Sequence, residues 1–520
     1  MTDPRRNIAR PLDSPAAPRA LDPQAALRRG IYGILIALSI GAMIGRIFAV
    51  NSVDKIGQEN EIVGRAVAQR IADAKAAGHP PDAAELQKWQ QEARAKSVLQ
   101  RPFLSANDRS RWDTIRALVE HGTYAIDDIV SQPSWDTIDM VEHPGRDGKP
   151  HLYSSKPPLL ATLLAGEYWL IYHISGASLG QHPYEIGRAM LITINVVPLW
   201  ILFWLLSRLI ERWGRTDWGR IYVMAAAVLG TFLTTFAVVL NNHVTAAVTT
   251  MVAIYAAMRI WYGGRRELRY FILAGLFAAL TATDELPALS LFGLLSLALV
   301  WKAPRQTLVG YVPAALVVAA AFFGTNYIAH DSLRPPYMHR SATNPADNWY
   351  DFQYMRKSDG RVIDSYWKNP AGIDKGQPSV PWYAFNVLIG HHGIFSLTPV
   401  WLLALPGIWL LGRRYGLRDL ALLIGVVSVV CVTFYICFVR PLDRNYGGMT
   451  SGFRWVFWFA PLWLLAVLPA ADWLSAQRWR RGLGYVLLAI SVVSASYPIW
   501  NPWTYPWLTN FFLHMGWEKF

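Results

Sequence analysis

Hydrophobic and polar positions separate along this chain in whole segments. Apolar runs occupy 30–50, 188–211, 218–240, 244–262, 270–283, 286–301, 307–328, 394–412, 419–438, 455–473 and 482–499. A helix needs roughly 20 apolar residues to cross a bilayer, so these runs predict about eleven transmembrane helices. Two long polar stretches interrupt them, 51–187 and 329–393. Within the first, residues 51–105 are rich in Ala, Gln and charge, with Pro80-Pro81 between two helical runs, which predicts a helical hairpin. Farther on, Ile115, Leu118 and Val119 recur at helical spacing behind Asp108 and predict a second helix.

The basic residues orient these segments. Arg5, Arg6, Arg10, Arg19, Arg28 and Arg29 place a tail, 1–29, in the cytoplasm ahead of the first span, 30–50. If the apolar run Pro157–Ile174 crossed the membrane, Arg208, Arg212, Arg215 and Arg220 would lie outside, and so would Arg259, Arg265, Arg266 and Arg269. Kept in the outer interface, the run leaves every later basic cluster inside, including Lys302 and Arg305, Arg413 and Arg414, and Arg478 to Arg481. The expected order is then a long extracytoplasmic loop 51–187 (a helical insertion, 51–105, and a loop with an interfacial helix, 106–187), spans within 188–328, a second outer loop 329–393, spans within 394–499, and an outer tail 500–520. This is an all-α polytopic membrane protein, multi-pass in the plasma (inner) membrane, with its N-terminus in and its C-terminus out.

Composition agrees: 53% of the 520 residues are hydrophobic and 16% charged, and 24 Trp and 23 Tyr suit aromatic belts at two interfaces. The formal charge of +13 sits in the short inner turns, so it signals orientation and no nucleic-acid partner. Cys431 and Cys437 share one apolar run and support neither a disulfide framework nor a metal knuckle. A soluble nucleotide-sugar site would show Asp-x-Asp beside Rossmann-like strands, and neither occurs; Asp136–Asp139 is the one Asp-x-x-Asp string. Nor is there an internal repeat of the transporter type.

The unusual polar residues gather on the expected outer side, where ionisable groups near the membrane are costly unless they serve a function. Asp108 heads a helix and also suits an N-cap. Lys156 precedes Pro157-Pro158 at a helix N-terminus, where both the ammonium and the helix dipole attract an anion; a lysine snorkelling at the bilayer surface would look the same. Asn241-Asn242-His243 opens a span, as caps or as site residues. Asp284-Glu285 tops a tight turn, either solvated or paired with Lys156, Arg340 or Arg454. His391-His392 lacks a third ligand at helical offset, so no metal is expected.

Taken in order, Asp108, Arg111, Trp112, Gly122-Thr123-Tyr124 and Lys156-Pro157-Pro158-Leu159 resemble the first extracytoplasmic loop of polyprenyl-phosphate-dependent glycosyltransferases of the GT-C fold. The closest in pattern are the protein O-mannosyltransferase-like and lipid A aminoarabinose transferase-like families. Gly390–Val400 is similar to the Gly-x-x-Gly-Leu-Phe-x-x-x-Pro stretch that begins a late span there, and Tyr446–Trp455 to a Gly-Gly-x-x-x-Gly-x-Arg-Tyr stretch. The likeness covers most of residues 30–480. It departs at Arg109, where the family has Glu; at the insertion 51–105; at Asn242, where relatives often carry an acid; and at Asp284-Glu285, where relatives commonly carry Lys.

The resemblance implies an inverting transfer of a sugar from a polyprenyl-phosphate donor to an extracytoplasmic acceptor, in contact with membrane lipids, with no metal and no cofactor. It implies Asp108 as catalytic base; Lys156, Arg454 and Arg109 as holders of the donor phosphate; and Arg111, Asn242, His243, Asp284 and Glu285 as positioning residues. The competing class is a non-catalytic polytopic protein, a transporter or a lipid-binding scaffold, which the Arg109 and Asn242 departures favour.

Overall fold

The computed structural model describes residues 23–49, 55–97, 103, 105–356, 360–498 and 500–518. Most of the cytoplasmic tail expected over 1–29 therefore lies outside the described residues. Among the described residues seven helices are long and apolar enough to cross a bilayer: Pro23–Ala49, Pro183–Trp213, Asp217–Val238, Asn242–Trp261, Pro304–His330, Arg418–Phe438 and Arg454–Leu474. The other four expected spans are helical but weaker. Leu268–Asp284 has 17 residues and Leu286–Lys302 is likewise short. Pro399–Leu403 is a 3-10 turn ahead of Ala404–Arg414, and Arg478–Ser496 opens on three arginines. Length and apolarity thus support seven of the eleven expected crossings.

The outward faces of these helices carry large apolar side chains that water would not tolerate, among them Leu38, Leu297, Trp301, Val317 and Val429. The protein is membrane-embedded. Its core is helix against helix. Arg454–Leu474 is buried over nearly its whole length and packs on Asp217–Leu229 and Ala404–Arg414. Gly407 permits the tightest crossing, since a Cβ there would fall 1.8 Å from the Ala466 carbonyl oxygen.

Because successive helices alternate in direction, the bundle has two distinct ends. At one, Arg28 Nε meets Glu211 at 2.9 Å and its Nη1 meets Asp217 at 2.7 Å, and Asp472 accepts from the backbone N–H groups of Arg215 and Thr216. At the other lie Asn241–His243 and Asp284-Glu285, covered by the two long polar stretches.

Residues 55–97 form the expected helical hairpin, Lys55–Ala76 and Ala83–Lys96, with a small core of Val63, Val67 and Ala93 and an Asp82–Glu85 capping box. The helix expected behind Asp108 is Ala106–Glu120. The apolar run after Lys156 forms Pro158–Ser175, which packs against Ala106–Glu120 and the helix Val312–His330. Its Tyr168 hydroxyl donates to Glu120 Oε1 at 2.7 Å and accepts from Leu179 N–H.

The all-α expectation needs correction at two places. Met140–Pro144 and Pro150–Ser154 pair antiparallel, with Met140 opposite Ser154 and Pro144 opposite Pro150. Asp147-Gly148 forms the turn, with Gly148 at φ +76°, a conformation glycine adopts without strain. In the second outer loop, Gln353–Arg356 pairs antiparallel with Arg361–Asp364.

Candidate functional site

The first hairpin is what assembles the site. Asp139 stands one residue before its first strand, and Lys156 two residues after its second. Pairing Met140 with Ser154 brings the two ends together: Ser155 N–H donates to Asp139 O at 3.0 Å, and Lys156 Nζ lies 3.1 Å from Asp139 Oδ2. The pair opens into a cavity of about 740 Å³ between the bundle end and the two outer loops.

Lys156, Arg111 and Arg454 converge on this cavity from three separate parts of the chain. Burial pushes the Lys156 ammonium down to about 8; Asp139 opposes the shift, while Arg111 and Arg454 add to it. Arg111 donates to Asn107 O at 2.9 Å, Asn107 Oδ1 at 2.8 Å and Asn242 Oδ1 at 2.7 Å. Arg454 donates through Nε to Gly447 O at 2.9 Å and lies 4.8 Å from the centre of the Trp503 ring. Gly447 has φ +92°, and a Cβ on it would sit 3.1 Å from Arg454 Nε. Among the described residues neither guanidinium has a carboxylate within 4.0 Å, so both hold their charge on neutral partners.

Asn242 links this cationic group to the neighbouring turn. Its Nδ2 donates to Asp284 O at 2.8 Å and to Glu285 Oε1 at 3.0 Å. His243 Nδ1 and Glu285 Oε1 are also hydrogen-bonded, and His243 Nε2 is buried without a hydrogen-bond partner among the described residues. Glu285 therefore pairs with His243, not with Lys156, Arg340 or Arg454; Arg340 instead meets Asp443 at 3.3 Å. Asn241 takes the capping role, accepting from Val244 N–H at 2.9 Å, which leaves Asn242 and His243 to face the cavity. Burial raises the carboxyl of Asp284 to about 8 and that of Glu285 well above the carboxylate range.

Arg109 also lines the cavity, but its guanidinium donates to the backbone carbonyls of Asp136 at 2.8 Å and Phe103 at 3.1 Å, tying down the loop. Asp108 is placed differently. It is the N3 residue of Ala106–Glu120, and its Oδ1 accepts from Ser105 N–H at 2.6 Å and from Arg109 N–H at 3.1 Å, while Ser105 Oγ accepts from Asn107 N–H. This is a capping box. Asp108 is 1% exposed and is not among the residues lining the cavity. The expectation of an N-cap is corrected by one turn: Ser105 is the cap, and Asp108 its reciprocal partner.

Of the nine residues to which the resemblance gives a catalytic, phosphate-holding or positioning role, eight line this one cavity: Arg109, Arg111, Lys156, Asn242, His243, Asp284, Glu285 and Arg454. Several others in the wall were given no role, notably Asp139, Asp374, Asn445, Tyr350, Trp367 and Trp503. For Asp139 a signal existed, since Asp147-Gly148 between β-prone runs marks a hairpin whose closure carries Asp139 to Lys156. Outside this wall His392 stacks on Tyr446 and His391 meets the same ring edge-on. Among the described residues no group of three His, Cys, Asp or Glu side chains is arranged to hold a metal ion.

No family model matches the chain, and no curated protein matches it. Two solved structures are similar. One is the Archaeoglobus fulgidus oligosaccharyltransferase in complex with zinc and sulfate (14% identity, TM-score 0.40), aligned over 78% of this chain and 51% of that one. The other is the archaeal oligosaccharyltransferase AglB from Archaeoglobus fulgidus, in complex with an inhibitory peptide and a dolichol-phosphate (14% identity, TM-score 0.38), aligned over 78% and 53%. The chain spans about half the length of these structures.

Proposed function

We propose that this protein is an integral-membrane glycosyltransferase of the GT-C type. It takes a sugar from a polyprenyl-phosphate donor and transfers it, with inversion, to an acceptor on the extracytoplasmic face of the plasma membrane. The observation that carries this reading is the convergence of Lys156, Arg111 and Arg454 in one buried cavity, with Asp139 the one carboxylate ion-paired to them among the described residues. Three converging cations with one carboxylate ion-paired among them favour an anion at that point of the wall. The cavity wall also includes Leu159, Leu160, Leu286, Pro287, Phe434 and Val439, and Leu286 and Phe434 reach the outer surface of the bundle. An anion bound beside such a rim suits a phosphate on an isoprenoid chain, its head on the cations and its tail along the lipid.

The chemistry follows from that placement. The acceptor nucleophile bonds to the anomeric carbon, the bond from that carbon to the phosphate oxygen breaks, and its electron pair stays on the phosphate. Fixed cations at the leaving oxygen stabilise the charge as it develops, so no general acid is needed. Arg111 is held by Asn107 and Asn242, and Arg454 by Gly447 and Trp503, so their positions are set before the donor arrives.

A second reading, a scaffold that binds polyprenyl phosphate without turning it over, is favoured by one observation. Asp108 is engaged in a helix cap and does not line the cavity. Native mass spectrometry with polyprenyl phosphate, combined with glycan and glycoprotein profiling of a deletion strain, separates the readings. An enzyme binds the lipid, and its loss removes a defined sugar from the envelope. A scaffold binds and removes none. Absence of binding overturns both.

A further inference from the structure

Attack by a hydroxyl or amine on the anomeric carbon releases a proton, and a basic side chain facing the cavity takes it, a role that carboxylates commonly fill. Five carboxylates besides that of Asp284 line the wall or the helix that borders it, and each is already engaged. Asp139 pairs with Lys156 at 3.1 Å. Glu285 accepts from Asn242 at 3.0 Å and is bonded to His243. Asp374 accepts from Tyr366 at 3.1 Å and from Asn445 at 3.0 Å. Asp443 bridges Arg340 and Arg440. Asp108 is taken up by the capping box and stands off the wall. The Asp284 carboxylate lines the cavity and has no hydrogen-bond or ion-pair partner among the described residues.

We infer that Asp284 is the general base of the transfer, accepting the acceptor's proton while the phosphate leaves on the Lys156, Arg111 and Arg454 side. The inference rests on the glycosyltransferase reading above. Asp284 ends the helix Leu268–Asp284, and its backbone carbonyl is pinned by Asn242 Nδ2 at 2.8 Å, so the carboxylate is free but its origin is fixed. The same Asn242 holds Arg111, which couples the base to the phosphate site through a single side chain. Arg111 faces Asp284 from the loop helix, His243 from the next bundle helix and Glu285 from the same turn, while Tyr337 and Tyr435 line the cavity beside them and Lys156 and Arg454 lie across it. Burial brings the carboxyl to about 8, with the Arg111 charge pulling against it. That lies just above neutral pH, so the ionised form is the minority there but is a stronger base than an ordinary carboxylate, and its share grows as pH rises. The base thus moves from the loop helix to a bundle turn, where Asp-Glu stands in place of the lysine that the resemblance leads one to expect.

The test uses the full-length protein in detergent or nanodiscs with a polyprenyl-phosphate sugar. Asp284→Asn is expected to lose transfer by roughly two to four orders of magnitude while binding polyprenyl phosphate as before. At saturating donor the wild-type kcat is expected to rise with pH toward an apparent pKa near 8, and the residual rate of Asp284→Asn to lack that limb. Asp284→Ala is expected to regain transfer when formate is added, a response that a purely structural residue would not give. Asp284→Asn at the native rate, or a wild-type profile without an ionisation near 8, overturns the assignment and leaves the glycosyltransferase reading standing. Wild-type protein that binds no polyprenyl phosphate and transfers no sugar overturns that reading, and the base with it. If Asp284→Asn does not fold, the wild-type pH profile and the formate response of Asp284→Ala decide.

Discussion

Arg111 Nη2 donates to Asn242 Oδ1 at 2.7 Å, joining the outer-loop helix to the start of a bundle helix 131 residues further along the chain. Arg111 approaches the cavity from the loop, and this bond and its Asn107 contacts fix the direction of its guanidinium. Asn242 in turn is held by Asp284 O and Glu285 Oε1, so the amide orders both sides of the site at once.

Asn242→Ala removes that cross-link. A hydrogen bond to a charged group contributes about 1.5–3 kcal/mol, so polyprenyl-phosphate binding is expected to weaken roughly ten- to a hundred-fold. Asn242→Asp keeps an acceptor for Arg111 but adds an anion and loses the Nδ2 donor to Asp284 O and Glu285, and is expected to weaken binding as well. Equilibrium binding of a short-chain polyprenyl phosphate checks both, and equal affinity in Asn242→Ala and wild type would remove the positioning role.

Lys156→Ala is expected to weaken donor binding by a similar roughly ten- to a hundred-fold, with Lys156→Arg recovering much of the loss because it keeps the charge. The pH dependence has a definite sign. A lysine lowered to about 8 is cationic below that pH and neutral above it, so affinity for the phosphate is present below pH 8 and falls as pH rises through it. Binding isotherms at pH 6.5, 8 and 9.5 read this directly, and a bound-state slope absent from Lys156→Arg assigns it to this residue.

The capping box predicts stability effects around Asp108. Ser105→Ala removes the Oγ acceptor for Asn107 N–H and is expected to cost about 1 kcal/mol of stability. Asp108→Ala leaves the Ser105 N–H without its acceptor, while Arg109 N–H keeps the Ser105 carbonyl at 3.0 Å, and is expected to lower the melting temperature further. Asp108→Asn keeps a carbonyl oxygen in place and is expected to melt close to wild type. Thermal unfolding in detergent checks all three.

Topology is open to a direct measurement. With Cys431 and Cys437 replaced, Ser175→Cys and Arg266→Cys place single thiols at two exposed positions that the orientation by basic clusters assigns to opposite sides. A membrane-impermeant reagent added to intact cells is expected to label position 175 and spare 266. The reverse pattern would turn the cavity toward the cytoplasm.

By itself the sequence determined the helices and most of the residues that meet in the cavity. Apolar runs of near-bilayer length must become helices in lipid because no other local structure pairs their backbone groups internally, and the 51–105 hairpin followed from two helical runs parted by prolines. Lys156, Arg454, Asn242 and Asp284 were legible because charged and amide side chains at the ends of apolar segments are rare. Tertiary structure alone decided their partners. Whether Asp108 turns into the cavity or back to its own helix start depends on a choice between local hydrogen bonds that no spacing records, and here Ser105 N–H and Arg109 N–H claim it. Asp139 meets Lys156 only because a hairpin closes between them, and Glu285 meets His243 only because two bundle helices end side by side. Those pairings are long-range, and they leave Asp284 as the cavity carboxylate without a partner among the described residues.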